Sequence, residues 1–152
     1  AEDEGIEMIT FHPRTVNQGY SGNADWELIK ELKEISNIPI VGNGDITTPE
    51  DAKKMIDETN CDYVMVGRGA MGNPFLFEQI NDYLKTNSYR LDSFFDYLHL
   101  TSKYKIKFAN LKGQAMRFTK GMRGGSKIRS KITFATNIEE LEKIMKDAYL
   151  TS

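Results

Sequence analysis

The chain has 152 residues, of which 39% are apolar and 28% charged, and its formal net charge is −2. These values are typical of a globular protein and exclude an intrinsically disordered chain, while no apolar run approaches the roughly 20 residues that a membrane-spanning helix needs. The acidic start lacks the layout of a signal peptide, and the single cysteine, Cys61, allows no internal disulfide, so we expect a cytoplasmic protein with no membrane partner.

Residues 1–84 predict alternating helices and strands. The predicted elements are, in order, a helix end over 1–5, a strand over 6–11, a helix capped by Asp25 over 26–35, a strand over 38–41, a helix capped by Thr48 and ending near 60, a strand over 63–66, and a helix over 73–84. Short apolar strands that alternate with amphipathic helices indicate an α/β fold whose parallel sheet is covered by helices.

The remainder of the chain predicts only helices. The predicted features are a helix from Ser93 capped by Asp92, an apolar seam of Tyr104, Phe108, Leu111, Ala115, Phe118 and Met122 with Gly113 as a candidate break, a turn over 121–125, a short basic helix capped by Ser126, and a last helix capped by Asn137. The sequence therefore divides into an α/β part over residues 1–86, a linker over 87–90, and a small all-helical domain over 91–152.

Two glycine clusters follow the second and third predicted strands. They read Gly42-Asn43-Gly44-Asp45 and Gly67-Arg68-Gly69. Ligands of parallel α/β folds bind at the carboxyl ends of the strands, and (β/α)8 barrels frequently bind phosphate with the loops after strands seven and eight. Glycine lets the main chain approach a phosphate, and an arginine adds a charged fork. We predict a phosphate site, with tight turns that have no ligand as the alternative.

Three further side chains bear on the function. His12 ends the first strand, so it should reach the same edge, where it either contacts a ligand or is structural. Arg14 is either a substrate contact or a solvated loop charge. Cys61 precedes the third strand at the opposite end of the sheet, so we expect no nucleophile there. No spacing of residues predicts a metal site.

A basic segment dominates the helical part. Residues 97–138 contain ten Lys or Arg and no acid, whereas the other 110 residues hold ten Lys or Arg and all 22 Asp and Glu. Such a segment indicates a phosphate-bearing partner such as RNA, with a merely solvated face as the alternative. The candidate phosphate contacts are Arg117, Lys120, Lys127 and Arg129.

Several motifs in this order resemble one known family. They are His12-Pro13-Arg14-Thr15, Gln18-Gly19-Tyr20-Ser21-Gly22, Ala24-Asp25-Trp26, Val41-Gly42-Asn43-Gly44-Asp45-Ile46, Gly67-Arg68-Gly69-Ala70, and Gly72-Asn73-Pro74. Together they resemble the flavin-binding half of tRNA-dihydrouridine synthases, nearest to the bacterial B-type and archaeal branch. The stretch 116–132 is similar to the C-terminal helical tRNA-binding domain of that family.

The resemblance implies about strands six to eight of a (β/α)8 TIM barrel that holds flavin mononucleotide (FMN), followed by the helical domain. It implies that NADPH reduces the flavin and that uridine in tRNA is reduced to dihydrouridine. The residues implied for FMN are His12, Asn43, Gly44, Asp45, Gly67 and Arg68. The residues expected on the substrate or tRNA side are Arg14, Arg117, Lys120, Lys127 and Arg129.

One departure from the family limits the expected activity. The catalytic cysteine of the family belongs to the preceding half of the barrel, and Cys61 does not match it. We therefore expect no catalytic residue in this chain, a requirement for the missing N-terminal half as partner, and no activity of the chain alone. The alternatives are a stand-alone RNA- and phosphate-binding module without catalysis, and a part of another phosphate-binding flavoprotein or sugar-phosphate enzyme.

Overall fold

A parallel sheet of three strands organises the first part of the chain. The structure is a computed structural model that describes residues 4–19 and 21–151, and it divides into two units, residues 1–90 and 91–152. The strands β1 (Ile9–Phe11), β2 (Ile40–Asn43) and β3 (Tyr63–Met65) lie side by side in chain order. Both strand pairs are parallel, so the fold is α/β as predicted.

The described residues of the first unit form four helices: α1 (Trp26–Ile35), α2 (Pro49–Thr59), α3 (Arg68–Gly72) and α4 (Leu76–Thr86). The predicted caps of α1 and α2 are confirmed. The Asp25 carboxylate accepts a hydrogen bond from the Glu27 amide, and Thr48 forms a reciprocal capping box with Asp51. These bonds satisfy amides that have no partner within the helix.

The helices cover one face of the sheet. The core between them contains Ile9, Ile40, Val64, Ile29, Met55 and Leu76. Side chains alternate between the two faces of a strand, so Val41, Tyr63 and Met65 lie on the opposite face. Tyr63 is 60% exposed and Met65 47% exposed. The second face therefore carries two exposed apolar side chains, Tyr63 and Met65, whereas Val41 is buried.

Several predicted bounds in this unit were wrong. β2 is displaced by two residues from the predicted 38–41, because Pro39 has no amide to donate and only its carbonyl contributes, accepting from the Ile9 amide at 3.0 Å. β1 begins at Ile9 instead of residue 6, opposite this boundary. The short helix α3 was not predicted, and α4 begins three residues after Asn73, whose side chain accepts from the Phe75 amide in a turn.

The helix end predicted over residues 1–5 lies partly outside the described residues, because the description starts at Glu4. Gly5, which was predicted as its cap, has the left-handed φ of 80° that favours glycine at such a position.

The described residues of the second unit form four helices: α5 (Phe94–Thr101), α6 (Phe108–Phe118), α7 (Gly125–Phe134) and α8 (Ile138–Leu150). Their common core contains Phe94, Leu111, Ala115, Ile132, Leu141 and Met145. Lys112 of α6 donates to the Thr133 and Ala135 carbonyls at 2.6 and 2.9 Å, so its charge caps the end of α7. None of the helices in the described ranges is long and apolar enough to cross a bilayer.

Four expectations for the second unit were corrected. Ser93, and not Asp92, caps α5, because its hydroxyl accepts from the Asp96 amide. Gly113 does not break α6, and only the middle of the predicted seam lies within that helix, since Tyr104 precedes α6 and is 64% exposed. Gly124 caps α7 in place of Ser126, with a left-handed φ of 70°. The predicted Asn137 cap of α8 is confirmed.

Candidate functional site

The carboxyl ends of the three strands meet at one edge of the sheet. His12 follows β1, the turn at Gly44 and Asp45 follows β2, and Gly67 follows β3 by two residues. Because the strands are parallel and adjacent, the polar and glycine-rich loops predicted from the sequence lie at the same edge.

The turn after β2 requires glycine at its first position. Gly44 has a φ of 132°, and a Cβ atom there would lie 2.6 Å from the Ala24 Cβ atom and 3.2 Å from Cδ2 of His12. Asp45 follows in the left-handed region with a φ of 60°. The main chain at Gly44 therefore packs directly against the loop that follows β1, and His12 lies beside it.

Three hydrogen bonds tie the loop after β1 and the first residue of α1 to this turn. Arg14 donates to one carboxylate oxygen of Asp45 at 2.8 Å, and the Ala24 amide donates to the other at 2.7 Å. The Trp26 indole donates to the Gly44 carbonyl at 3.1 Å. Hydrogen bonds thus hold both the Gly44 carbonyl and the Asp45 carboxylate of the turn.

Arg14 is buried, so its interpretation as a solvated loop charge is wrong. Its side chain is only 4% exposed, and its second terminal nitrogen donates to the Gly22 carbonyl at 2.6 Å. Its Nε atom is buried without a hydrogen-bond partner in the described part of the chain. Arg14 therefore links two segments of protein. Its predicted place on the substrate side stays a prediction.

The electrostatics of Asp45 follow from these contacts. Partial burial raises the pKa of its carboxyl, but hydrogen bonds from Arg14 and the Ala24 amide, with the charges of Arg14 and Arg68, lower it further than burial raises it. The net effect is a lowered pKa, and Asp45 is ionised at neutral pH.

The second glycine loop packs directly on the first. A Cβ atom on Gly69 would collide with the Ile46 carbonyl oxygen and would lie 3.1 Å from the Thr47 Cα atom. A guanidinium nitrogen of Arg68 lies 3.7 Å from the Asp45 carboxylate, and the Arg68 side chain is 55% exposed. The structure thus brings the two glycine clusters into contact, as their common place in the sheet predicts.

We call Gly44, Asp45, Gly67, Arg68 and Gly69 the phosphate site, after the ligand that the sequence predicts for these loops. An added Cβ atom would meet Ala24 and His12 at Gly44 and the main chain of Ile46 and Thr47 at Gly69, whereas at Gly67 it would meet nothing within 4 Å. Main chain without side chains, next to a half-exposed guanidinium, is the chemistry that binds a phosphate monoester. These residues therefore fit the phosphate group of FMN.

Asn43 lies at the end of β2, on the face of the sheet that the helices leave uncovered. Its side-chain nitrogen lies 3.4 Å from the sulfur of Met65, its partner in the strand register. Asn43 is half-buried, so its amide is placed between the sheet surface and the edge that carries the phosphate site.

Cys61 is placed as the sequence predicts. It is 3% exposed, belongs to the core, and directly precedes Asp62 at the amino end of β3. It therefore lies at the end of the sheet opposite the phosphate site. In the described ranges we find no cluster of three His, Cys, Asp or Glu side chains suited to a metal ion.

The four basic residues predicted to contact tRNA occupy α6, α7 and the turn between them. Arg117, Lys120 and Lys127 are exposed, whereas Arg129 is partly buried and donates to the Thr119 carbonyl at 3.4 Å. Arg129 thus also stabilises the end of α6. The segment without acids spans all of α6 and α7, so the acidic residues of this unit lie mainly on α8.

Two residues of the site were missed by the sequence reasoning. Ala24 and Trp26 are part of a motif in the resemblance, but no residue pattern indicates that the amide of one and the indole of the other bind the turn after β2. Only the loop geometry reveals these bonds.

Comparisons with known proteins agree with the resemblance. A family model for dihydrouridine synthases (Dus) matches residues 1–147. A probable tRNA-dihydrouridine synthase of Aquifex aeolicus is 34% identical over 150 residues, which are 95% of this chain and 48% of that protein. A second such protein, from Rickettsia bellii, is 56% identical over 86 residues, 57% of this chain and 26% of the relative.

The B-type enzymes also match. The tRNA-dihydrouridine synthase B of Shewanella oneidensis is 46% identical over 88 residues, 58% of this chain and 27% of that protein. Matches of this kind therefore span about half the length of the curated relatives or less.

Proposed function

Because this chain belongs to the dihydrouridine synthase family, we propose that it forms the C-terminal part of an FMN-dependent enzyme that reduces uridine to dihydrouridine in tRNA. The observation that carries the proposal is the contact between the two glycine loops, where Gly69 packs on Ile46 and Arg68 approaches Asp45. Two independent strand ends thereby form one surface suited to a phosphate group.

In this proposal the chain holds the phosphate end of the flavin. Gly44, Gly67 and Arg68 contact the phosphate, Asp45 completes the turn, and His12 and Asn43 lie towards the flavin ring. When bound, FMN reduced by NADPH supplies the hydride that uridine accepts. His12 is exposed beside Gly44, so its imidazole can donate a hydrogen bond to a ligand without rearrangement of the loop.

We further propose that the rest of a barrel must join this chain before the reaction can occur. In the described residues, β1 and β3 each pair with one neighbour only, and the uncovered sheet face carries Tyr63 and Met65. Three strands cannot close a barrel, and such edges and faces require another partner. Since Cys61 is buried in the core, the proton-donating cysteine would come from the complementary half.

The helical unit is proposed to bind the tRNA backbone. Arg117, Lys120 and Lys127 are exposed on a segment without acids, and Arg129 is partly buried and donates to the Thr119 carbonyl. Contacts of this kind bind phosphates and therefore orient the tRNA without selecting a base.

Flavin binding tests the phosphate site. FMN and riboflavin differ by one phosphate group, so the chain should bind FMN more tightly. Arg68→Ala should weaken FMN binding about tenfold or more, since a charged hydrogen bond is lost, and should leave riboflavin binding unchanged. Lys85→Ala, which removes an exposed charge at the end of α4, is the control. Equal affinity of the parent chain for the two flavins would refute the site.

A stand-alone RNA-binding module is the second candidate, and the segment without acids favours it. The two candidates differ in the catalytic outcome when the chain is assayed on tRNA with FMN, NADPH and the complementary half of the barrel, because only the first predicts dihydrouridine there. Salt-dependent tRNA binding by the chain is expected under both. Formation of dihydrouridine by the chain alone would contradict the proposed need for a complementary half.

A further inference from the structure

Arg14 and Asp45 form an ion pair whose geometry suits a positioning role. The guanidinium is almost completely buried, whereas the carboxylate is 29% exposed at the edge of the sheet. A buried pair gains little stability over neutral side chains, because both charges lose their hydration. The buried Nε atom of Arg14 has no hydrogen-bond partner in the described residues, which adds a further cost. The pair is therefore poorly explained by stability alone.

The contacts of the pair connect two loops. Arg14 holds Gly22 and Asp45 at once, and Asp45 also accepts from the Ala24 amide. The bonds to Asp45 join the loop after β1 to the turn after β2, whereas the bond to Gly22 closes the first loop on itself. The pair thereby determines where the peptide between Gly44 and Asp45 lies.

The Asp45 carboxylate is also a poor direct ligand for phosphate. It is ionised, and like charges repel at short range. The buried Arg14 compensates this charge from inside the protein. The half-exposed Arg68 lies on the solvent side of the same carboxylate.

We propose that Arg14 and Asp45 are positioning residues that fix the Gly44–Asp45 turn for a phosphate monoester, and that neither side chain binds the ligand itself. This inference rests on the proposed function, because it assumes that the phosphate site binds FMN. It gives Arg14 a role different from the substrate contact that the resemblance implies, and it is the role that a buried guanidinium can perform.

The test compares FMN and riboflavin affinities in variants that keep the fold. Asp45→Asn alone leaves the buried Arg14 charge without its partner and risks unfolding. The double variant Arg14→Met with Asp45→Asn removes both charges together and should unfold at nearly the temperature of the parent chain. Arg14→Lys keeps the charge but cannot reach both of its acceptors in the same way.

We expect both variants to lower the preference for FMN over riboflavin about tenfold or more, because a displaced turn no longer fits the phosphate. Riboflavin affinity should not change. Unfolding of the variants would instead weaken the binding of both flavins. Hydrogen exchange should rise at the Ala24 amide and at residues 43–47, while α1 and α2 stay protected. Asp62→Asn is the matched control, because Asp62 pairs with Lys33 and accepts from the Ile40 amide at the other end of the sheet.

The outcomes separate the two proposals. A parent chain without preference for FMN refutes the phosphate site, and the positioning role fails with it. A parent chain that prefers FMN, combined with folded variants that keep this preference, refutes the positioning role alone. An equal loss of preference in Asp62→Asn would also refute it, since the effect would then arise from general destabilisation.

Discussion

Replacing Gly69 with alanine should disrupt the contact between the two glycine loops. The new Cβ atom would meet the Ile46 carbonyl oxygen, with the Thr47 Cα atom at 3.1 Å and Cδ2 of Leu76 at 3.2 Å. The first two atoms belong to the main chain, so the collision cannot be relieved by rotating a side chain. Leu76 is completely buried, so its side chain cannot swing out into solvent without leaving the core.

The magnitude follows from two opposing effects. Overpacking of this kind costs about 1–3 kcal/mol, whereas alanine in place of glycine in a helix contributes up to about 1 kcal/mol. We therefore expect Gly69→Ala to lower the free energy of unfolding by about 1–2 kcal/mol. Gly72→Ala lies in the same helix α3 and meets nothing within 4 Å, so it should be neutral or stabilising by up to about 1 kcal/mol.

Urea denaturation monitored by Trp26, which belongs to the α/β unit, gives both values under the same conditions. The two variants should differ by about 1–3 kcal/mol, and a difference of about 2 kcal/mol corresponds to roughly 10 °C in melting temperature for a unit of this size. If Gly69→Ala were as stable as Gly72→Ala, the loops would not be in the contact from which the phosphate site is inferred.

Four further variants test other parts of the structure. Asp45→Asn should destabilise the chain by about 2–3 kcal/mol at neutral pH. Because the folded pKa of Asp45 is lowered, the parent chain loses this advantage in stability as the pH falls from about 5 through that pKa. The denaturation curves of the parent chain and the variant should therefore converge across this pH range. Lys112→Met should cost the helical unit about 1–2 kcal/mol, measured by circular dichroism, because the carbonyls at the end of α7 lose their donor. Arg117→Ala and Lys120→Ala should each weaken tRNA binding and lower the slope of log affinity against log salt by about 1.

Each of these variants has a contrasting result. Denaturation curves of Asp45→Asn that stay parallel to the parent at all pH values would contradict the lowered pKa. An unchanged Lys112→Met would mean that its two carbonyl contacts contribute nothing to α7. Lys146→Ala on the acidic helix α8 serves as the control for tRNA binding, and an equal effect there would refute a specific basic surface.

The sequence predicted the features that depend on neighbouring residues. Asp25, Thr48 and Asn137 cap helices as expected, because a cap is formed by side chains within a few positions of the amides they satisfy. Apart from the short helix α3, the order of strands and helices in the first unit was also predicted, since it follows from the apolar periodicity. The place of the two glycine clusters at one sheet edge followed from this order.

The contacts between loops could not be predicted in this way. Arg14 pairs with Asp45 across 31 positions, and Trp26 reaches Gly44 across 18, so no local pattern indicates them. The resemblance named Arg14 and Asp45 as site residues but not as partners of one another. The bounds of β2 were missed because the apolar run includes Pro39, which cannot donate to a neighbouring strand.

Amide NMR during a titration with FMN tests the central claim most directly. If the two glycine loops form a phosphate site, chemical-shift changes should concentrate at residues 43–47 and 67–70, with His12 beside them, and riboflavin should not produce the changes in these loops. Changes confined to other parts of the chain, or none at millimolar FMN, would contradict the account.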